Sequence, residues 1–134
     1  MIRAVVDTNI TVSGLLFGGV PLEIVHSALS IKFVWVTSPA LMREAQRVMG
    51  SDKFRLSAAE IQRLTKSIWE AADIITPVQE LDVIKRCPAD NRVLECAAEG
   101  RCSLIVTGDR RDLLSLERYR NIEIIKARDF LNRI

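Results

Sequence analysis

The sequence lacks the residue patterns on which several common metal and disulfide sites depend. Its three cysteines, Cys87, Cys96 and Cys102, form no Cys-x-x-Cys pair, which argues against a structural zinc site. An odd number of cysteines also fits a reduced cytosolic protein better than a disulfide framework. The one histidine, His26, lies on a predicted helix, and we interpret it as structural.

Motifs of several enzyme classes are absent as well. There is no G-x-S-x-G nucleophile elbow, no G-x-x-x-x-G-K-[ST] phosphate loop, no G-x-G-x-x-G fingerprint and no paired cysteine and histidine nucleophile. The glycines in "FGGVP" (17 to 21) are not followed by a phosphate-binding lysine, so this segment is predicted to be a turn before a helix.

Long hydrophobic runs and a strong charge of one sign are also missing. No apolar stretch reaches 18 residues, and the first apolar run is too short for a signal peptide, so a cytoplasmic protein without membrane contact is expected. The net charge of +2 is no general signature of nucleic-acid binding. Residues 101 to 134 nevertheless carry eight Lys/Arg against five Asp/Glu, which hints at a phosphate-facing end.

The chain is long enough for one hydrophobic core, with 134 residues of which 49% are apolar. We therefore predict one domain spanning 1–134. Apolar, β-branched runs alternate with segments of helical spacing, and Ser57 and Glu60 form a capping box. Strands are predicted near 2–6, 32–37, 82–85, 102–108 and 122–125, and helices near 21–30, from 39 onward, and near 58–73, 88–99 and 127–134. This alternation requires crossovers and predicts an α/β/α sandwich with a central, mainly parallel sheet.

Four acidic residues have positions that call for an explanation. Asp7 and Asp109 each follow an apolar strand directly, so in a parallel sheet both should lie at the carboxyl edge, where ligands bind. Asp90 is on another strand-to-helix connection. Glu44 lies on the predicted buried stripe of its helix with Leu41, Ala45 and Val48, so its carboxylate is expected to point toward the protein.

Each acid also has a structural interpretation. Asp7 and Asp90 are natural helix N-caps, and Asp109 can begin a turn after Gly108. Glu44 can be bonded to an arginine. If the four carboxylates converge, however, a pair about 4 Å apart repels by roughly 4 kcal/mol at an effective dielectric near 20. A cation relieves this repulsion, and all-oxygen ligands favour Mg²⁺ or Mn²⁺.

Four motifs together resemble those of the PIN-domain (PilT N-terminal-like) family over essentially the full chain. They are "VVDTN", "SPALMREAQRVM", "CPADNRVLECAAEG" and "IVTGDRRDLLSL". The resemblance is greatest to the branch that contains toxin components of bacterial and archaeal toxin–antitoxin systems. It implies a metal-dependent ribonuclease that hydrolyses RNA phosphodiester bonds with Mg²⁺ or Mn²⁺.

The resemblance also implies roles for individual residues. The catalytic and metal-binding acids would be Asp7, Glu44, Asp90 and Asp109, the supporting polar residues Thr8, Asn9 and Thr107, and the phosphate contacts Arg110 and Arg111. The sequence departs from the family pattern at Ala89, where many members have another acid. Two residues, instead of one, separate Asp109 from Asp112, which leaves the role of Asp112 open.

The resemblance also implies partners for this protein. Family members commonly form homodimers and are inhibited by an antitoxin segment. Apolar residues on the helical segments around 22–29 and 58–75 either serve such contacts or pack the core: Leu22, Ile24, Val25, Leu29, Trp69 and Ile74.

Two other functions remain open. One is a non-catalytic RNA- or partner-binding module, and the other is a haloacid-dehalogenase-like phosphatase, which would require an aspartate where this chain has Asn9.

Overall fold

A computed structural model of the protein describes residues 1–108 and 111–134. Its strands are β1 (Arg3–Val6), β2 (Val34–Thr37), β3 (Asp73–Ile74), β4 (Leu104–Thr107), β5 (Arg118–Tyr119) and β6 (Ile122–Lys126). Its helices are α1 (Thr8–Leu16), α2 (Gly19–Leu29), α3 (Pro39–Met49), α4 (Ala58–Ala71), α5 (Asp90–Glu99), α6 (Arg111–Leu116) and α7 (Ala127–Leu131). These elements confirm the predicted α/β class.

The strands form one mainly parallel sheet in the order β3-β2-β1-β4-β6-β5. Only the short edge strand β5 pairs antiparallel, with β6. Strand β1 lies between β2 and β4, and its residue Val6 is in register with Val106 of β4. The chain continues from β1 to β2 on one side of β1, and it returns from β3 to β4 on the other side of β1. The carboxyl end of β1 is therefore the topological switch point, where open α/β sheets bind ligands.

Helices cover both faces of the sheet, as β-branched strands buried on both sides require. On one face, Val6 and Val106 belong to a core cluster with residues of α1, α2, α4 and α7. On the other face, Val5 and Ile105 pack with residues of α3, α5 and α6. The predicted α/β/α sandwich is therefore the observed architecture.

Local signals correctly predicted where two helices begin. The Ser57 side chain accepts a hydrogen bond from the Glu60 N–H, and the Glu60 carboxylate accepts one from the Ser57 N–H, which is the predicted capping box of α4. Helix α3 begins at Pro39 behind the cap Ser38, as predicted. Helix α2 begins two residues earlier than predicted, at Gly19.

The predicted strand at 82–85 is wrong. This segment has no regular secondary structure, because its backbone N–H groups bond to side chains of α5 and not to another strand. Four described elements were not predicted from the sequence: α1, α6 and the short edge strands β3 and β5.

The apolar residues predicted for partner contacts divide between core and surface, and Ile74 lies in β3 and not in a helix. Ile24 and Val25 are buried in the core, whereas Leu29 and Ile74 are 40% and 45% exposed. Packing into the core therefore accounts for part of this set only.

Within the described residues no single helix is long and apolar enough to cross a membrane. Helices α1 and α2 satisfy that test only together, with a bend of 93° between them.

Candidate active site

Asp7 lies at the centre of the carboxyl edge, directly after β1, and its side chain is buried. Its Oδ1 accepts a hydrogen bond of 2.7 Å from the Asn9 N–H, which makes Asp7 the N-cap of α1. Its Oδ2 accepts a hydrogen bond from the Thr107 hydroxyl at the end of β4. The capping interpretation of Asp7 is thus confirmed, and two donors from different elements fix the orientation of its carboxylate.

Thr107 contacts Asp7 because β1 and β4 are parallel and in register. The Asp7 N–H donates to the Val106 carbonyl at 2.9 Å and continues the ladder by one residue beyond β1. The two side chains that follow the paired strands then meet at the same edge of the sheet. The contact of Thr107 with Asp7 follows from this register, and its supporting role at a metal site stays a prediction.

Glu44 reaches the same edge from α3. The Thr8 hydroxyl donates to Glu44 Oε2 at 3.1 Å, and Thr8 itself is buried next to Asp7 in the sequence. Glu44 is half-buried at the border of a stripe formed by Leu41, Ala45 and Met49. The prediction of an inward carboxylate agrees with this contact, although Met49 replaces Val48 as the fully buried member of the stripe.

Asp90 is the first residue of α5 and is buried. The N-cap is Ala89, so the prediction that Asp90 caps this helix is wrong. Its carboxylate belongs to the first turn, where the helix dipole favours a negative charge. Ala89 and Glu44 line the same cavity of about 290 Å³, which places the start of α5 beside α3.

Asn91 is a residue whose structural role was missed in the sequence. Its buried side-chain oxygen accepts hydrogen bonds from the Val83 and Ile84 N–H groups at 2.9 and 2.8 Å, and its Nδ2 donates to the Ile84 and Pro88 carbonyls. These bonds anchor the segment that leads into Asp90. An asparagine beside a candidate acid was a possible signal, but its partners could not be identified before the fold was known.

The remaining predicted residues divide into two groups. Asn9 contributes its backbone N–H to Asp7, while the residue itself is exposed. Asp109 and Arg110 lie outside the described residues, and Arg111 is described only as the first residue of α6. Asp112 is half-buried in the first turn of the same helix.

The structure thus brings together carboxylate and hydroxyl oxygens, the ligands that hard divalent cations prefer. The part of the chain that is described contains no group of three or more His, Cys, Asp or Glu side chains that could hold a metal ion. The predicted set of four acids includes Asp109, which is not in that part. The oxygen donors that are described fit Mg²⁺ or Mn²⁺ in chemical type.

The sequence matches a protein-family model. No curated protein matches the sequence. The family model described as PIN domain matches residues 3–111, a range that includes β1, α3, α5 and β4 and all four candidate acids. PIN domains have a nuclease-type fold and typically use divalent metals. With more than half of its residues covered by this model, the chain belongs to the PIN domain family.

Proposed function

We propose that this protein is a metal-dependent ribonuclease that hydrolyses phosphodiester bonds of RNA. The observation that carries the proposal is the buried Asp7 carboxylate at the carboxyl end of the central strand, held by Thr107 and by the Asn9 N–H. Thr8, the residue after Asp7, donates to Glu44 and so orients a second carboxylate. Oriented carboxylates near a ligand-binding edge suit phosphoryl chemistry better than a flat binding surface does.

Four acids would hold the divalent ion or ions: Asp7, Glu44, Asp90 and Asp109. When bound, Mg²⁺ or Mn²⁺ supplies an activated water and stabilises the negative charge that develops on the phosphate. The hydroxyls of Thr107 and Thr8 keep two of the carboxylates in place. Arg110 and Arg111 are proposed to contact phosphate.

A non-catalytic RNA- or partner-binding module is the second candidate function. The capping role of Asp7 supports it, because that role alone gives the carboxylate a structural purpose. The inward placement of Glu44 favours the nuclease, since a binding surface does not require a carboxylate at this position. Membership of the PIN domain family gives no support to the phosphatase alternative.

The test is to incubate the purified protein with single-stranded and structured RNA in Mg²⁺, in Mn²⁺ and with a chelator. Cleavage that requires the metal and stops with the chelator is expected. RNA binding without cleavage in either metal would instead establish the binding module. A DNA strand of the same sequence in the same assay shows whether the activity is limited to RNA.

We further propose that this ribonuclease is the toxin of a toxin–antitoxin pair, acts in the cytoplasm as a homodimer, and is inhibited by a cognate antitoxin protein. The support is the resemblance of its motifs to the toxin branch of the family. Induced expression in a bacterial host is expected to stop growth, whereas Asp7→Asn, expressed to the same level, should not. Equal growth with both proteins would contradict the toxin role.

A further inference from the structure

Arginines make up half of the residues that line a cavity beside the candidate active site. It has a volume of about 290 Å³ and lies between α3 and the start of α5. Three arginines, one glutamate and two alanines line it: Ala40, Arg43, Glu44, Arg47, Ala89 and Arg92. The lining therefore carries a net positive charge, and it includes Glu44, which accepts a hydrogen bond from Thr8.

Two of these arginines are exposed and close to each other. Arg43 and Arg47 are four residues apart in α3, so they occupy neighbouring turns on one side of the helix. Like charges at this spacing destabilise a helix by roughly 0.2–0.5 kcal/mol. Among the described residues neither arginine has an ion-pair partner, and the nearby Glu44 carboxylate accepts a hydrogen bond from Thr8. An anion between the two guanidinium groups would relieve their repulsion.

The third arginine is held in place by the protein. Arg92 Nη2 donates to Glu95 Oε2 at 2.7 Å and to the Leu81 carbonyl at 3.2 Å. Its Nε is buried and has no hydrogen-bond partner among the described residues. A buried donor without a partner costs about 1–3 kcal/mol. Arg92 thus contributes a fixed side chain to the cavity wall, whereas Arg43 and Arg47 are exposed.

We infer that the cavity of Arg43, Arg47 and Arg92 binds a phosphate of the RNA strand that is not the phosphate being cleaved. Guanidinium groups recognise phosphate through paired, charge-assisted hydrogen bonds. Because Glu44 borders both this cavity and the candidate active site, a strand whose cleaved bond lies at Asp7 passes next to the arginines. The inference rests on the proposed ribonuclease function and adds a subsite that positions the strand.

The test compares two double variants with the same loss of charge. Arg43→Gln/Arg47→Gln removes the two exposed arginines of the cavity. Arg63→Gln/Lys66→Gln removes two exposed cations of α4, which line a different groove. Arg92 is left unchanged because its bonds to Leu81 and Glu95 anchor local structure.

Two measurements are made on each protein. Fluorescence anisotropy with a labelled single-stranded RNA in chelator gives the dissociation constant at several salt concentrations. Steady-state cleavage in Mn²⁺ gives kcat and KM. For the cavity variant we expect an affinity roughly tenfold weaker and a salt slope smaller by about 0.7 for each phosphate that the protein no longer neutralises. Its KM should rise with kcat nearly unchanged, and the α4 variant should resemble the wild type.

The outcomes separate this subsite from the ribonuclease function. If the wild type does not cleave RNA but the cavity variant alone loses affinity and salt slope, the subsite stands and the ribonuclease function falls. If the wild type cleaves RNA and both variants match it in affinity and KM, the subsite is overturned and the function stands. An equal or larger loss in the α4 variant, or no RNA binding by the wild type, also overturns the subsite.

Discussion

At the scale of single residues, Asp7 combines an observed capping role with a proposed metal-binding role. Its Oδ1 accepts from the Asn9 N–H and its Oδ2 from the Thr107 hydroxyl. Asparagine is as good an N-cap as aspartate, and a hydroxyl can either donate or accept. The two roles of Asp7 can therefore be separated by one substitution.

Asp7→Asn is expected to retain the fold and to abolish metal-dependent RNA cleavage. The amide keeps the capping oxygen, so the melting temperature should change by only a few degrees, but it loses the charge that attracts the cation. Circular dichroism and the RNA assay measure the two effects. Asp52→Asn, at an exposed position after α3, is the matched control and should remain active. Full activity of Asp7→Asn would exclude Asp7 as a metal ligand.

The buried cysteines give a prediction about pH. Burial raises the pKa of the Cys96 and Cys102 thiols to about 12, from an ordinary value near 9. Between these values the unfolded chain binds fewer protons than the folded protein, so the free energy of unfolding should fall as pH rises from 9 toward 12.

The same burial should protect both thiols from alkylation. In the native protein at pH 8, iodoacetamide followed by mass spectrometry should modify the half-buried Cys87 and leave Cys96 and Cys102 unmodified. In denaturant all three should react. Rapid native labelling of Cys96 would show that α5 opens away from the sheet.

At the scale of elements, α1 and α2 pack closely through Gly14. A Cβ atom at this position would lie 2.7 Å from the Pro21 carbonyl oxygen and 2.8 Å from Val25 Cγ2. Ordinary contacts begin near 3.4 Å, so an alanine here would push the two helices apart. Because α1 begins at Thr8, its position also determines where the Thr8 hydroxyl meets Glu44.

Gly14→Ala is therefore expected to destabilise the protein by roughly 1–3 kcal/mol, the usual cost of overpacking a core. The control is Gly18→Ala, because no atom lies within 4 Å of a Cβ at Gly18 and its φ of −158° is ordinary extended backbone. That change should be neutral or slightly stabilising. Chemical denaturation of the two variants measures the difference, and equal midpoints would contradict the close packing at Gly14.

The segment before α5 shows how an element can be held without a sheet ladder. The Leu81 N–H donates to Glu95 Oε2 at 2.7 Å, and the Val83 and Ile84 N–H groups donate to Asn91. Side chains one helical turn apart thus replace the hydrogen bonds that a strand would form. This replacement explains why "DVIK" has the composition of a strand but not its structure.

At the scale of the whole molecule, the proposed convergence of four carboxylates predicts that a divalent cation stabilises the protein. Millimolar Mn²⁺ should raise the melting temperature, because a ligand that binds only the folded state stabilises it by mass action. Thermal unfolding with Mn²⁺ and with chelator measures the shift. A double variant, Asp7→Asn/Asp90→Asn, should show little or no shift. The same shift in both proteins would argue against a shared cation site.

The proposed homodimer is also a property of the whole molecule. Leu29, Ile31 and Ile74 are exposed at 40%, 71% and 45%, which is apolar surface that a second copy would cover. Gel filtration with light scattering at high micromolar concentration should give twice the mass of the 15.1 kDa chain. A strictly monomeric mass would exclude the homodimer and leave antitoxin binding to a separate experiment.

The sequence by itself determined the features that depend on neighbouring residues. Apolar β-branched runs indicated four of the six described strands, and the capping box located α4. The position of Asp7 at a strand end was evident for the same reason. Helix α1 was not predicted, because buried residues lie on several of its sides: Thr8, Ile10, Thr11 and Val12. A helix buried in this way lacks the polar stripe that reveals helical periodicity.

Only the tertiary structure decided which distant residues meet. Thr107 reaches Asp7 across 100 residues because β1 pairs with β4 in register, and Glu44 reaches Thr8 because α1 and α3 lie side by side. Strand order and helix packing set these contacts, and a local pattern contains no information about either. The side chains at strand ends were therefore predictable as candidates, whereas their hydrogen bonds and the arginine-lined cavity beside them depend on the assembled fold.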